Sequence, residues 1–404
     1  MYNQLLGRIR RENQVLKAFV HIAPDSPSSP GAGPLSGIAV AIKDLIDTAD
    51  FPTGYGSPIY ARHRPSVDAA IVTALKESGA FIAGKTTTTE FATWPPTPTL
   101  NPRNFAHTPG GSSAGSAAAV GAGLVPVAVG SQTKGSVIRP ASFCGVVGFK
   151  PSFNRLPRAG VKMLAESLDT LGLFGNTVEY VERTYIALAV ETRAQDIASP
   201  RFAFCRTPQW KDASADARTA IEEAVAKLRR AGVAIDDLEL PAAFSNIPGD
   251  AGIVHDYEMR RSLLPELRAA REQIEPTLAT AIDRAASLTG EDYGRALGAL
   301  ETRRSESVDV MSGYDAVLCL AALGEAPLGL ANTGSPLMNI SWTALYLPCL
   351  TLPVLQGARG LPIGLQLIGC RHQDTRLLRA AHYLERVGAG VLLDTKPRSA
   401  SPSS

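Results

Sequence analysis

Cysteine is sparse in this chain, neither sign of charge is massed, and no apolar run is long. The five cysteines, Cys144, Cys205, Cys319, Cys349 and Cys370, are odd in number, lie far apart and form no CxxC pair. That argues against a disulfide framework or a thiolate metal site and leaves buried free thiols in a reducing compartment. Against 40 Lys+Arg stand 38 Asp+Glu, a net charge of +2 with no long block of either sign. No nucleic-acid or membrane-surface partner is implied, and a small substrate of low charge is expected. No uninterrupted apolar run reaches the roughly eighteen residues of a membrane span. The start, from Met1 to Arg11, has no apolar segment behind it of the kind that drives secretion, so a cytoplasmic protein is expected. Internal repeats and long linkers are missing too.

What is present is an alternation of helix and strand patterns. The 45% hydrophobic fraction suffices for a large core. Gln4 to Phe19 carries Leu5, Ile9, Val15 and Phe19 at spacings near three to four, which predicts an amphipathic helix, and Ser26 to Pro34 reads as loop. Gly37 to Asp44 is almost wholly apolar, the pattern of a buried strand, and delivers Lys43 at its end. A helix is predicted over 67–78, closed by Gly79, then a strand at 81–83, a small-residue helix over 113–122, and buried strands at 125–129 and 146–149. Beyond Pro200 come a strand at 202–205, a helix capped by Ser214, a strand at 233–240 and a mostly helical stretch over 250–311. Strands at 316–320, 349–353 and 361–369 and a helix over 374–387 complete the pattern. The fold class is therefore α/β, a sheet core with helices. One domain over 1–390 is expected, with 1–195 and 314–387 as its core, 196–313 as a variable helical region on the substrate side, and a disordered Ser/Pro tail at 391–404.

Three short motifs suggest chemistry and lack the context it needs. Gly79 to Thr86 matches the phosphate-loop pattern GxxxxGK[ST], but a helix precedes it and β-branched Thr86 to Thr89 follow. Gly111-Ser112-Ser113-Ala114-Gly115 matches the GxSxG nucleophile elbow, which would make Ser113 the nucleophile with His255 or His382 as partner. The preceding residues 101–109 read as loop where that motif needs a strand. Ser131-Gln132-Thr133-Lys134 matches SxxK, but Gly135 and Pro140 disfavour the helix it requires, and no SDN or KTG element accompanies it.

A different combination uses all the pieces. Lys43, Ser112 and Ser136 close three separate segments, and the serines stand far enough apart for one helix and one strand between them. A lysine desolvated in an apolar site binds its proton less tightly and can act as a base relayed through one hydroxyl to another. Taken singly, Lys43 could be a strand-end surface lysine and Ser112 a helix N-cap. The surrounding stretches decide the matter together. Gly37 to Asp44, Gly110-Gly111-Ser112-Ser113-Ala114-Gly115-Ser116, Gly130 to Pro140 with Phe143-Cys144-Gly145, Gly148-Phe149-Lys150-Pro151, Ser167 to Gly172, Trp342-Thr343 and Gly360 to Gln366 make the chain resemble the amidase signature family. The resemblance covers most of 1–195 and 314–387. It implies a single large mixed sheet with helices on both faces, and hydrolysis of the C–N bond of a small amide without metal or cofactor. It further implies Ser136 as acyl nucleophile, Ser112 as a bridging serine after a cis peptide bond, and Lys43 as base. The backbone N–H groups of Thr133, Lys134, Gly135 and Ser136 would form the oxyanion hole, with Ser113, Ser131 and Arg139 on the substrate side. A glutaminase-type subunit of a tRNA-dependent amidotransferase, and a catalytically impaired binding protein, are the alternatives; a homodimer is left open.

Two departures from the family pattern bear on function. Lys134 stands where a small residue, often glycine, is usual, and a positive φ there would strain the oxyanion loop. The region before Pro34 is short of helix. Arg139 reads two ways, as an anchor for a substrate carboxylate or carbonyl, or as a pin for its own loop.

Overall fold

The apolar segments pair into one sheet. In the computed structural model, which describes residues 2–25 and 31–391, the strands are β1 (Phe19–Ile22), β2 (Ala39–Lys43), β3 (Phe81–Thr86), β4 (Val127–Gln132), β5 (Val147–Lys150), β6 (Thr170–Gly175), β7 (Arg201–Cys205), β8 (Ala234–Leu238), β9 (Ala316–Leu320), β10 (Cys349–Gln356) and β11 (Pro362–Ile368). Their spatial order is β1-β3-β2-β4-β6-β5-β10-β11-β9-β7-β8. The sheet is mixed: β3, β2 and β4 run parallel, as do β9, β7 and β8, and antiparallel pairs join the two groups.

Both faces of the sheet are covered, which is why its strands read as continuous apolar runs. Alternate residues of β9 enter different cores. Leu318 and Leu320 pack with Ile221, Leu228 and Leu377 from flanking helices, whereas Val317 and Cys319 pack with Val254, Leu300 and Trp342 from helices on the other face. All five cysteines are free.

Several expectations shift in detail. The first helix is Tyr2–Leu16, not Gln4 to Phe19: Lys17 turns the chain with a φ of 55°, and Phe19 begins edge strand β1. A helix, Ile138–Cys144, follows the second serine loop despite Pro140, because proline in a first helical turn removes a donor that has no intrahelical acceptor anyway. Strand β6 and the helices Val178–Ala189 and Leu337–Ala344 appear in stretches where periodicity predicts no element. The last helix runs to Val391, and the tail beyond it, like residues 26–30 of the expected Ser26 to Pro34 loop, lies outside the described residues.

The fold positions the site through its parallel strands. Register aligns Lys43 of β2 with Thr86 of β3 and Ile42 with Val129 of β4, so the carboxyl ends of the three strands open at one edge. That edge is where open α/β sheets place ligands, because the loops there are free to carry chemistry.

Candidate active site

Lys43 is the last residue of β2 and has no solvent exposure. The strand turns its side chain into the sheet edge, where its Nζ donates to Ser112 Oγ at 2.7 Å and to Ser131 Oγ at 2.8 Å. Burial lowers its pKa to about 7, opposed by the Asp169 carboxylate, so near neutrality much of it is the free amine a base must be.

Ser112 is fully buried and follows a cis Gly111–Ser112 peptide, and its carbonyl accepts from Thr89 N at 3.2 Å. The glycines before it permit this close approach. A Cβ on Gly111 would lie 2.7 Å from Thr333 Cγ2, and one on Gly110, at φ 83°, 2.9 Å from Pro140 Cα. The first serine loop therefore packs directly on the segment that carries the second. Arg139 closes the contact, donating to the Gly111 carbonyl at 2.6 Å and to Thr333 Oγ1 at 3.3 Å.

The second loop runs from β4 into the Ile138–Cys144 helix. Gln132 Oε1 accepts from Val137 N at 2.8 Å and Ile138 N at 3.0 Å, holding the start of that helix, and its Nε2 donates to Thr343 Oγ1. Thr343 in turn donates to the Lys134 carbonyl at 3.0 Å. Between these anchors, the N–H groups of Thr133, Lys134, Gly135 and Ser136 donate to no acceptor among the described residues, and neither does the Ser136 hydroxyl, although Thr133 and Ser136 are only 6% and 8% exposed. Four consecutive sheltered donors are rare, and their arrangement suits an anion. Lys134 does not have positive φ, so the strain expected of a lysine at this position is absent.

The remaining candidates are also near. Ser113 Oγ donates to the Ser131 carbonyl at 3.2 Å and accepts from Ser131 N at 3.3 Å, tying the first loop to the end of β4. Neither histidine of the GxSxG reading is bonded to Ser113: His255 Nδ1 lies 2.7 Å from Asp256 Oδ1, and His382 Nε2 3.3 Å from Glu182 Oε2. Lys85 of the phosphate-loop match sits within β3, buried against Asp44 at 3.2 Å, Thr53 Oγ1 and the Ile46 carbonyl. A cleft of about 610 Å³, lined by Asp44, Thr87 to Thr89, Glu90 and Pro95 to Pro98 among others, lies beside this centre and includes none of Lys43, Ser112 and Ser136.

Sequence reasoning missed Asp169. Its Oδ1 accepts from Thr133 Oγ1 and its Oδ2 from the backbone N–H groups of Leu164 at 2.6 Å and Ala165 at 3.0 Å. Burial raises its pKa while these donors and Lys43 favour its charge. The signal was the Ser167 to Gly172 stretch, which contains it; Gln132 and Thr343 likewise lie in stretches that carry the resemblance.

Comparison with known proteins gives one picture. The family model described as Amidase matches residues 3–378. The chain is 30% identical to a chloroplastic/mitochondrial glutamyl-tRNA(Gln) amidotransferase subunit of maize (Zea mays), over 95% of this chain and 85% of that protein. A crystal structure of an amidase superposes with a TM-score of 0.87 at 26% identity, covering 95% of this chain and 94% of the other. The corresponding glutamyl-tRNA(Gln) amidotransferase subunit of Thermotoga maritima does so with a TM-score of 0.80 at 27% identity, covering 95% and 90%.

Proposed function

The chain belongs to the Amidase family, and from that premise we propose that it cleaves the C–N bond of a carboxamide through an acyl-enzyme on Ser136, the carboxamide being glutamine if the maize and Thermotoga relatives are the guide. The row of N–H groups from Thr133 to Ser136 that meet no acceptor among the described residues, together with the Lys43–Ser112 hydrogen bond, carries this reading. Neutral Lys43 takes the Ser112 proton as Ser112 takes that of Ser136, and Ser136 Oγ adds to the amide carbon. The oxygen of the tetrahedral adduct gains charge and is received by the four N–H groups, which are already fixed by Gln132 and Thr343 and need no reorganisation. Collapse breaks the C–N bond, and the proton returns through Ser112 to the leaving nitrogen. Water then adds to the acyl carbon by the same relay and releases carboxylate and free Ser136. Ser112 serves as relay because it is fully buried and bonded to Lys43, while the Ser136 hydroxyl is not engaged within the protein.

The maize and Thermotoga relatives, both of them amidotransferase components, favour a glutamine-hydrolysing subunit of a tRNA-dependent amidotransferase, working with partner proteins, over a free-standing amidase. An impaired binding protein is the weaker reading, because Lys134 leaves the loop backbone unstrained. A single domain over 1–390 belongs to the same proposal, supported by the one sheet from β1 to β8. The test is ammonia release from glutamine and from simple amides, with Ser136→Ala and with covalent labelling by a fluorophosphonate. Turnover and labelling both vanish in Ser136→Ala if the assignment is right; retained turnover sinks it. Turnover of simple amides by the isolated chain favours the free-standing enzyme.

A further inference from the structure

Among the described residues of the helical stretch 196–313, two carboxylates are withdrawn from water, Glu258 and Glu266. Glu266 has a cation beside it, Lys162 at 2.5 Å, and also accepts from the Tyr60 hydroxyl at 2.6 Å. Glu258 has no such partner. Its Oε2 accepts from Ser167 N at 2.9 Å, and its Oε1 from Ser167 Oγ and from Tyr293 OH at 2.7 Å, all of them neutral donors. A carboxylate taken out of water without a counter-ion is costly, and is tolerated where convergent donors satisfy it. Two of these three donors belong to one residue outside the helical stretch, so the carboxylate serves to hold Ser167.

Ser167 lies in the turn that presents Asp169. Within that turn Asp169 Oδ2 accepts from Leu164 N at 2.6 Å and Ala165 N at 3.0 Å, and the N–H groups of Leu168 and Asp169 both donate to the Ala165 carbonyl. The other carboxylate oxygen, Oδ1, accepts from Thr133 Oγ1 in the second serine loop. The helix Ile247–Ser262 therefore grips, through Glu258, the turn whose carboxylate ties that loop down. We propose that Glu258 is a positioning residue, which holds the 164–169 turn so that Asp169 stays bonded to Thr133. Its effect on the reaction rests on Lys43 being the base and Ser136 the nucleophile. Arg158 donates to the Glu166 and Asp169 carbonyls at 2.8 and 3.0 Å, so without Glu258 the turn shifts and does not unravel. The charge that acts on Lys43 is that of Asp169. The ionisable neighbours of Glu258 are Tyr293 and Tyr346, and burial keeps both phenols neutral over the pH range used.

The test follows Ser136 labelling by a fluorophosphonate from pH 5 to 9, together with amide hydrogen exchange. In Glu258→Ala the turn relaxes, Asp169 draws away, and the Lys43 ammonium loses its favourable neighbour. The labelling midpoint, about 7 in wild type, falls by about half a pH unit, so labelling at pH 6 rises roughly two- to threefold relative to each enzyme's own plateau. The Leu164 and Ala165 amides, released by Asp169, exchange about tenfold faster or more, while those of β4 keep their protection. Glu258→Gln still accepts from Ser167 and keeps the wild-type midpoint. Ser167→Ala retains the Ser167 N–H bond, moves the midpoint down by less, and carries the test if Glu258→Ala does not fold. In an Asp169→Asn background Glu258→Ala moves the midpoint no further, because both changes act through the same carboxylate. The proposal is overturned by a midpoint that stays put or rises in whichever of Glu258→Ala and Ser167→Ala folds, whatever happens to the plateau. A full further shift in the Asp169→Asn background, or unchanged exchange at Leu164 and Ala165, overturns it as well. Failure of the nucleophile reading shows separately, as labelling that survives in Ser136→Ala, and the exchange measurement does not depend on it.

Discussion

Replacing Asp169 by asparagine tests how the site sets its own pH range. Asp169 is the charge that opposes the effect of burial on Lys43. Asparagine keeps the shape and one carbonyl oxygen for the Leu164 and Ala165 N–H groups, and its amide can face the Thr133 hydroxyl. Only the negative charge is lost. The ammonium form of Lys43 loses a favourable neighbour, so its pKa falls below the wild-type value of about 7. An opposing charge at close range is worth about one pH unit at the low end of such effects. An amine is neutral above its pKa, so activity in wild type rises with pH through about 7 and in Asp169→Asn through about 6. At pH 6 the free-base fraction then goes from about a tenth to about a half, some fivefold more of the competent form relative to each enzyme's own plateau. The rate of Ser136 labelling by a fluorophosphonate, followed from pH 5 to 9, measures this without knowledge of the substrate. The plateau itself falls, because a less basic lysine is a weaker base. A midpoint that stays put or moves up refutes the coupling between Asp169 and Lys43.

Other perturbations have definite expected outcomes. Lys43→Met removes the base and lowers Ser136 labelling at pH 8 by about 10² to 10⁴, the usual worth of a positioned proton acceptor; labelling at the wild-type rate would remove Lys43 from the mechanism. Ser131→Ala deletes one of the two acceptors of a buried ammonium and destabilises the fold by about 1–3 kcal/mol. Since it is the protonated lysine that needs both acceptors, urea unfolding should show the larger loss at pH 6 and the smaller at pH 9, and the reverse order would contradict the assignment. Gly111→Ala forces a Cβ against Thr333 Cγ2 and costs about 1–3 kcal/mol in the same unfolding assay, partly recovered by Thr333→Ser, which removes the methyl and keeps the hydroxyl for Arg139. Arg139→Met orphans the Gly111 carbonyl and lowers kcat/KM for charged and neutral amides alike; a selective loss on charged amides would make Arg139 the substrate anchor instead of the loop pin.

The alternation of apolar strands and amphipathic helices was legible because periodicity is a local property of the chain. Strands β2, β4, β7, β9 and β11 fall where continuous apolar runs predict them, and burial on both faces is the reason those runs are continuous. Strand β6 escaped because Thr170 to Gly175 has two glycines and no alternation, and it is a strand only because β4 and β5 flank it. Lys43 and Ser112 stood out in the sequence as candidates, and the fold brings them within hydrogen-bond distance.

The tertiary structure alone decided what holds and tunes these residues. That Ser131 shares the Lys43 ammonium, that Asp169 accepts from Thr133, and that Gln132 reaches Thr343 all depend on distances between segments far apart in sequence. Lys134 shows the division most clearly. Its sequence position identified it as the unusual residue of the loop, with strain as the natural consequence. The backbone turned out ordinary, without the positive φ that would strain it, and that is a property of the folded loop that cannot be read from its neighbours in the chain.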